Sequence, residues 1–254
     1  MIKNISLILL ILFINSQQKS RIAELRSRSI PSKEERRSQN RSYFPERYEV
    51  YLGADGTPNY RFRDAPDSYG PELPFNINIE ELTGYPFKRV QINHKLDDGW
   101  LVGFNFGEWG GGLFWFNESG DEHYRLRFGT IQRIISIGSN VYILQGLDQV
   151  RGDGRILKLE KKDRWTVNTL LELNDTPYAS FITENNELII AATENIILVN
   201  TEFEAEPLIE NGFWKYYAAP NSVIIHDDIL YVGMSEGILK TPLNNLEKME
   251  WLTK

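Results

Sequence analysis

Residues 107–112 (GEWGGG) are where residue types and spacing come nearest to a site. Glycine lets backbone approach a bound molecule closely, and the Trp109 indole offers a flat stacking face. Glu108 between them could hold a hydroxyl group or move a proton. The opposing reading gives the glycines to a backbone bulge and packs Trp109 into a neighbouring element. A second polar cluster lies at residues 145–154 (QGLDQVRGDG), where Asp148, Arg151 and Asp153 could take a polar ligand or an ion or form a solvated turn. Their spacing matches no calcium loop. Asn221 and Ser222, after Pro220, and Glu236, between Ser235 and Gly237, complete the candidate ligand-binding set. Glu108 paired with Asp148 or Glu236 has the chemistry for glycoside cleavage, and the separation of the two carboxyl groups decides whether it is usable.

Other chemistries lack their residues. The chain has no cysteine, which removes disulfides, thiolate nucleophiles, cysteine metal sites and a lipoprotein anchor. His94, His123 and His226 are dispersed, whereas zinc needs converging ligands. No Gly-x-Ser-x-Gly elbow is present, and Gly152-x-Gly154 is too short for a phosphate loop. No catalytic residue, cofactor or metal is therefore assigned. The net charge is -7, and residues 17–42 carry eight Lys or Arg against three Glu, so residues 43–254 sit near -13. So acidic a body argues against nucleic acid as its ligand.

The candidates sit on a repeated scaffold. Residues 100–103 (WLVG), 142–145 (YILQ), 188–191 (LIIA) and 230–233 (LYVG) recur about 42 residues apart. Each copy has an apolar strand before it (residues 90–92, 134–137, 180–182, 223–225) and another after it (residues 113–116, 156–159, 196–199, 238–240). Outer strands are signalled at residues 123–126, 165–170, 206–209 and 249–252. Short turn sequences such as Asp97-Asp-Gly99 and His226-Asp-Asp228 keep the same phase. A period near 40 with four strands per period predicts an all-β fold, a β-propeller of four-stranded antiparallel blades. Four repeats are clear, and a hairpin at residues 47–63 with the proline-rich stretch after it predicts a degenerate fifth blade. In such blades the second-to-third loops and the blade connections share one face. The candidates above fall there, and the first two of these loops are enlarged.

The period, the hairpin turns and residues 230–238 (LYVGMSEGI) resemble bacterial β-propeller repeat proteins in general. Residues 107–116 (GEWGGGLFWF) also resemble a stretch carried by a group of exported bacterial proteins. The resemblance covers about two thirds of the chain. It implies the fold and no particular chemistry.

The N-terminus predicts export. Lys3 precedes an apolar run, residues 7–14, that is too short to span a bilayer comfortably, so residues 1–17 read as a signal peptide. The basic residues that follow leave an uncleaved anchor or a cytoplasmic module as the alternative. Residues 18–42 read as a flexible basic linker and residues 43–254 as the propeller domain. The Trp residues at 100, 115, 165, 214 and 251 are assigned to the core. The expected function is non-enzymatic: a secreted monomer presenting a loop face to a protein or carbohydrate ligand. A hydrolase or lyase acting on a saccharide or lactone through Glu108 and Asp148 is the alternative.

Overall fold

A computed structural model describes residues 21–38, 47–63, 68–86, 90–147, 153–215 and 217–254. Before the repeats come β1 (Arg26–Arg28), α1 (Lys33–Ser38), β2 (Arg47–Leu52), β3 (Pro58–Arg63), β4 (Ser68–Tyr69) and α2 (Ile79–Thr83). The first repeat forms β5 (Val90–Leu96), β6 (Gly99–Asn105), β7 (Gly111–Phe116) and β8 (His123–Phe128). The second forms β9 (Ile131–Ile137), β10 (Asn140–Gly146), β11 (Gly154–Lys161) and β12 (Trp165–Glu172). The third forms β13 (Pro177–Ile182), β14 (Leu188–Ala192), β15 (Ile196–Val199) and β16 (Ala205–Ile209). The fourth forms β17 (Pro220–His226), β18 (Ile229–Met234), β19 (Ile238–Pro242) and β20 (Glu250–Thr253).

Each repeat folds into its own antiparallel sheet with strands in chain order. Short hairpins require this, because a two-residue link can join only antiparallel neighbours. At the fourth repeat the link is Asp227-Asp228, both at positive φ (50° and 57°), which matches the right-handed twist of the flanking strands.

The second strand of each sheet is the most buried, and it carries the motif most visible in the sequence. β6 buries every residue but its last, and β14 buries all of its residues. Such a strand has neighbours in its own sheet on both edges and other sheets on both faces, so it reads as a continuous apolar run. The outer β12 is mostly exposed or half-exposed.

Three apolar layers join the four sheets in sequence. Leu101, Leu113, Ile131, Ile143 and Leu157 fill the space between the first and second sheets. Tyr142, Leu144, Leu188 and Ile190 join the second to the third, and Ile189, Trp214, Val232 and Trp251 join the third to the fourth. The free face of the fourth sheet is covered by the β2–β3 hairpin through Tyr48, Val50 and Tyr60. The free face of the first sheet (Trp100, Phe104, Phe114, Phe116) is covered by Leu73, Phe75, Ile79 and Leu82 from the stretch that includes α2. Hairpin and stretch together thus stand between the fourth and first sheets, and the Arg63 guanidinium lies 5.4 Å from the Tyr69 ring across that junction. Four sheets packed first strand to first strand form a β-propeller arrangement.

The segment expected as a flexible linker departs from that reading. Where described, residues 21–38 are folded onto the body. Ile22 is buried among Tyr48, Tyr60, Ile224 and Tyr231. β1 pairs antiparallel with β20, adding a fifth strand to the fourth sheet. α1 opens on a reciprocal cap in which Ser32 Oγ accepts from Glu35 N–H (3.2 Å) and a Glu35 carboxylate oxygen accepts from Ser32 N–H (2.7 Å). Composition misses this because backbone pairing to an open sheet edge is indifferent to side-chain charge, and the few large apolar residues of the segment, Ile22, Leu25 and Ile30, all pack on the body. Among the described residues no helix is long and apolar enough to cross a membrane. The expected signal peptide lies outside the described residues.

Candidate functional site

The loops between second and third strands and the connections between sheets emerge on one face, where they hydrogen-bond to one another. Gly146 N–H donates to the Thr130 carbonyl at 3.0 Å, and Thr193 N–H donates to the Thr176 carbonyl at 3.1 Å. These are equivalent bonds one repeat apart, each from a second-to-third loop to the connection that enters its own sheet, and both threonines are buried. At Asp175, in the connection from the second sheet to the third, one carboxylate oxygen accepts from Glu194 N–H (3.0 Å), Asn195 N–H (3.0 Å) and Asn195 Nδ2 (2.8 Å). Burial pushes this carboxyl up, the hydrogen bonds from Glu194 and Asn195 do not cancel that rise, and the nearby Glu194 charge adds to it.

On this same face the first strands of three sheets bend at one position. The pairing register slips between Gln145 and Leu144 of β10, making Gln132 of β9 an extra residue, and it likewise steps past Tyr178 of β13 and Asn221 of β17. A bulge of this kind re-aims a side chain, and bulges gather beside functional sites. Three of them in register ring the mouth of the space between the first strands.

Arg133, next to the first bulge, crosses that space. Its Nη1 donates to the Gln132 carbonyl (2.7 Å), and its Nη2 donates to the Asn221 carbonyl on the fourth sheet (3.0 Å) and to the Tyr69 hydroxyl (3.4 Å). The guanidinium carbon lies 4.2 Å from the centre of the Tyr69 ring. β4, which carries Tyr69, runs parallel along the inner edge of β5. Asn105 Nδ2 donates to Gln132 Oε1 (3.1 Å) while its Oδ1 accepts from Gly107 N–H (2.8 Å), so the mouth is tied directly to the Glu108–Trp109 loop.

The sequence candidates meet different fates. Glu108 and Trp109 lie on a 3-10 turn, Gly107–Trp109, and both are exposed, Trp109 at 56 %. The glycines around them answer backbone demands: Gly107 and Gly110 take positive φ (63° and 88°), and a Cβ on Gly111 would stand 2.1 Å from the Phe104 carbonyl oxygen. The indole, which the opposing reading packs away, stays open to solvent. Asp148 and Arg151 lie outside the described residues. Asp153 is held by Arg155 Nη2 at 2.6 Å, and Glu172 stands on the same guanidinium at 3.3 Å. Ser222 Oγ accepts from Val50 N–H (2.8 Å) and donates to Asn221 Oδ1 (2.9 Å), so it docks the hairpin. Glu236 is half-buried, its carboxyl pushed up by burial. Its charge, with that of Glu35 on α1, adds to the burial that raises the Tyr217 hydroxyl.

Arg133, Tyr69 and Asp175 escaped sequence reasoning. Arg133 had a legible signal, a lone charge in the otherwise apolar or neutral strand 131–137 (IQRIISI). Among the described residues no three His, Asp or Glu side chains gather to hold a metal. His94 faces Ser136 at 3.4 Å, His123 stacks on Phe116 and His226 stands 3.2 Å from Asp227, three separate places.

No protein-family model matches the sequence, and no curated protein matches it. Among solved structures, the chain is similar to the extracellular domain of a one-component system of B. thetaiotaomicron, with 15% identity and a TM-score of 0.46 over 66% of this chain and 24% of that one. It is similar to a gluconolactonase of Xanthomonas campestris, with 10% identity and a TM-score of 0.41 over 80% and 64%. It is also similar to an inactive virginiamycin B lyase of Staphylococcus aureus, with 11% identity and a TM-score of 0.40 over 82% and 66%. The chain thus spans 24% and 64% of the lengths of the first two. The propeller arrangement rests on the strand order and packing of this chain's own sheets.

Proposed function

We propose that this chain is an exported, non-enzymatic β-propeller of five blade units that binds a saccharide on its loop face. The observation that carries the reading is the concentration of irregularity on that face: three bulges in register and an exposed indole tied through Asn105 to the ring they form. Regular repeats need none of these, and an exposed tryptophan beside amide groups is the pairing that stacks on a sugar ring while hydrogen-bonding its hydroxyls. The count of five treats the β2–β3 hairpin and the 68–86 stretch as one degenerate blade, and a single monomer suffices for the surface. Export rests on residues 1–17 and predicts a mature N-terminus beyond them, readable by N-terminal sequencing.

The test is a saccharide panel against the secreted protein by calorimetry. Binding that Trp109→Ala weakens at least about tenfold, with Leu52→Ala as an exposed control that leaves it unchanged, supports the reading. Turnover of a panel member that Glu108→Gln abolishes would replace it with the hydrolase or lyase alternative.

A further inference from the structure

Sheets that fan out from a shared centre spread apart toward their outer strands, so the outer end of each gap needs large side chains to fill it. Between the first and second sheets β12 supplies Trp165, which packs with Trp115, Leu126 and Val167. Between the third and fourth β20 supplies Trp251, its ring centre 5.1 Å from that of Phe213 in an edge-to-face contact. Between the second and third the filling is incomplete. At the tight-turn end Phe203 closes the gap against Tyr142, with ring centres 4.9 Å apart. Nearer the loop face β16 brings only Ala205 and Pro207, paired with Val199 and Ile197 of β15, and a groove of about 460 Å³ stays open there.

The groove has an aliphatic floor and an acidic rim. Leu171, Leu173 and Ile197 line it, and the last two are buried in the layer between the sheets. Glu172 stands on the β12 bank, and Glu206 and Glu210 stand on the bank formed by β16 and the residue after it. All three are exposed. Glu172 shares the Arg155 guanidinium with Asp153, whereas Glu206 and Glu210 take part in no ion pair among the described residues. Among the described residues no Lys or Arg lines the groove. A space of this volume with an apolar lining and a few polar groups suits a small organic ligand. Carboxylates on both banks of an apolar floor complement a ligand that is cationic at one end and hydrocarbon at the other.

We infer that the groove between the outer strands of the second and third sheets binds a small organic amine, its ammonium group at Glu172, Glu206 and Glu210 and its hydrocarbon body over Leu171, Leu173 and Ile197. This site is separate from the saccharide surface proposed for the loop face and does not depend on it.

The test is calorimetry on the whole protein with probes that share one body: phenylbutylamine, phenylbutanol and phenylbutanoate. The amine is expected to bind at least about fivefold more tightly than the alcohol, as a cation beside exposed carboxylates should, and the carboxylate is expected not to bind. Glu206→Gln combined with Glu210→Gln is expected to bring the amine down to the affinity of the alcohol. Asp163→Asn combined with Glu184→Gln makes the same change of charge in exposed turns at the other end of the sheets and is expected to leave the amine unchanged. Ala205→Trp, which gives β16 the indole that β12 and β20 already carry, is expected to abolish binding of amine and alcohol with a melting temperature at or above the parent value. Should that variant fold poorly, the glutamine pair, confined to exposed side chains, decides alone. Trp109→Ala is expected to leave amine binding unchanged, which keeps this outcome apart from that of the loop face. Equal affinity for amine and alcohol, equal effects of the two charge-removing pairs, parental amine binding in a folded Ala205→Trp protein, or no binding of the amine overturns the proposal.

Discussion

Asp175 lets a single side chain report on how adjacent blades are locked. It is 6% exposed, and one of its oxygens accepts three hydrogen bonds from the Glu194–Asn195 loop of the next sheet. Hydrogen bonds to a charged group contribute about 1.5–3 kcal/mol each, but desolvating a carboxylate takes back several. Asp175→Ala removes the acceptor and leaves three donors near the surface, where water reaches some of them, so a net loss of about 2–3 kcal/mol is expected. For a chain of this size that lowers the melting temperature by about 4–12 °C, measurable by circular dichroism. Asp175→Asn keeps an oxygen acceptor without the charge and is expected to stay within about 1 kcal/mol of the parent. The pH dependence supplies the sign. Because burial raises this carboxyl above its unfolded value, its contribution to stability is full at acid pH and is lost as pH rises through the folded pKa. The Asn variant is therefore expected to gain on the parent between acid and neutral pH. An alanine variant within about 0.5 kcal/mol of the parent, or an asparagine variant as damaged as the alanine one, would refute the reasoning.

Three further outcomes are expected. Ile22→Ala should cost about 2–3 kcal/mol in urea unfolding because it empties a buried position, whereas a spacer residue would be neutral. Gly233→Ala should cost more than about 2 kcal/mol and release the hairpin to limited proteolysis, since its Cβ would stand 2.2 Å from the Tyr48 carbonyl oxygen and 2.3 Å from Ser222 Oγ. On the opposite face, Asp98 accepts from Lys161 Nζ (2.7 Å) and Trp165 Nε1 (2.9 Å). Burial raises its carboxyl, but those partners outweigh burial and leave it lowered. Its contribution is then present above the unfolded pKa and lost as pH falls through the folded one. Because the pair is substantially exposed, Asp98→Asn should cost less than about 1 kcal/mol at neutral pH, with the difference vanishing in acid melts.

The scaffold was legible in the sequence because its signal is local and redundant. The apolar runs at 100–103, 142–145, 188–191 and 230–233 are strands buried on both faces, and the turns between them need residues that tolerate positive φ, as at Asp227 and Asp228. The hairpin at 47–63 was legible for the same reason. The exposed Trp109 was visible as a candidate, while its exposure was not. What only tertiary structure decided is which residues meet across long separations. Arg133 reaches Asn221 from 88 residues away and Tyr69 from 64, and no local pattern announces either meeting. The fate of residues 21–38 was decided the same way, by an edge on β20 that exists only once the last repeat has folded. Periodicity records what each residue needs from its immediate neighbours. A site, and a strand added to an open edge, depend on where separate elements come to lie in space, and that is set by how the sheets pack.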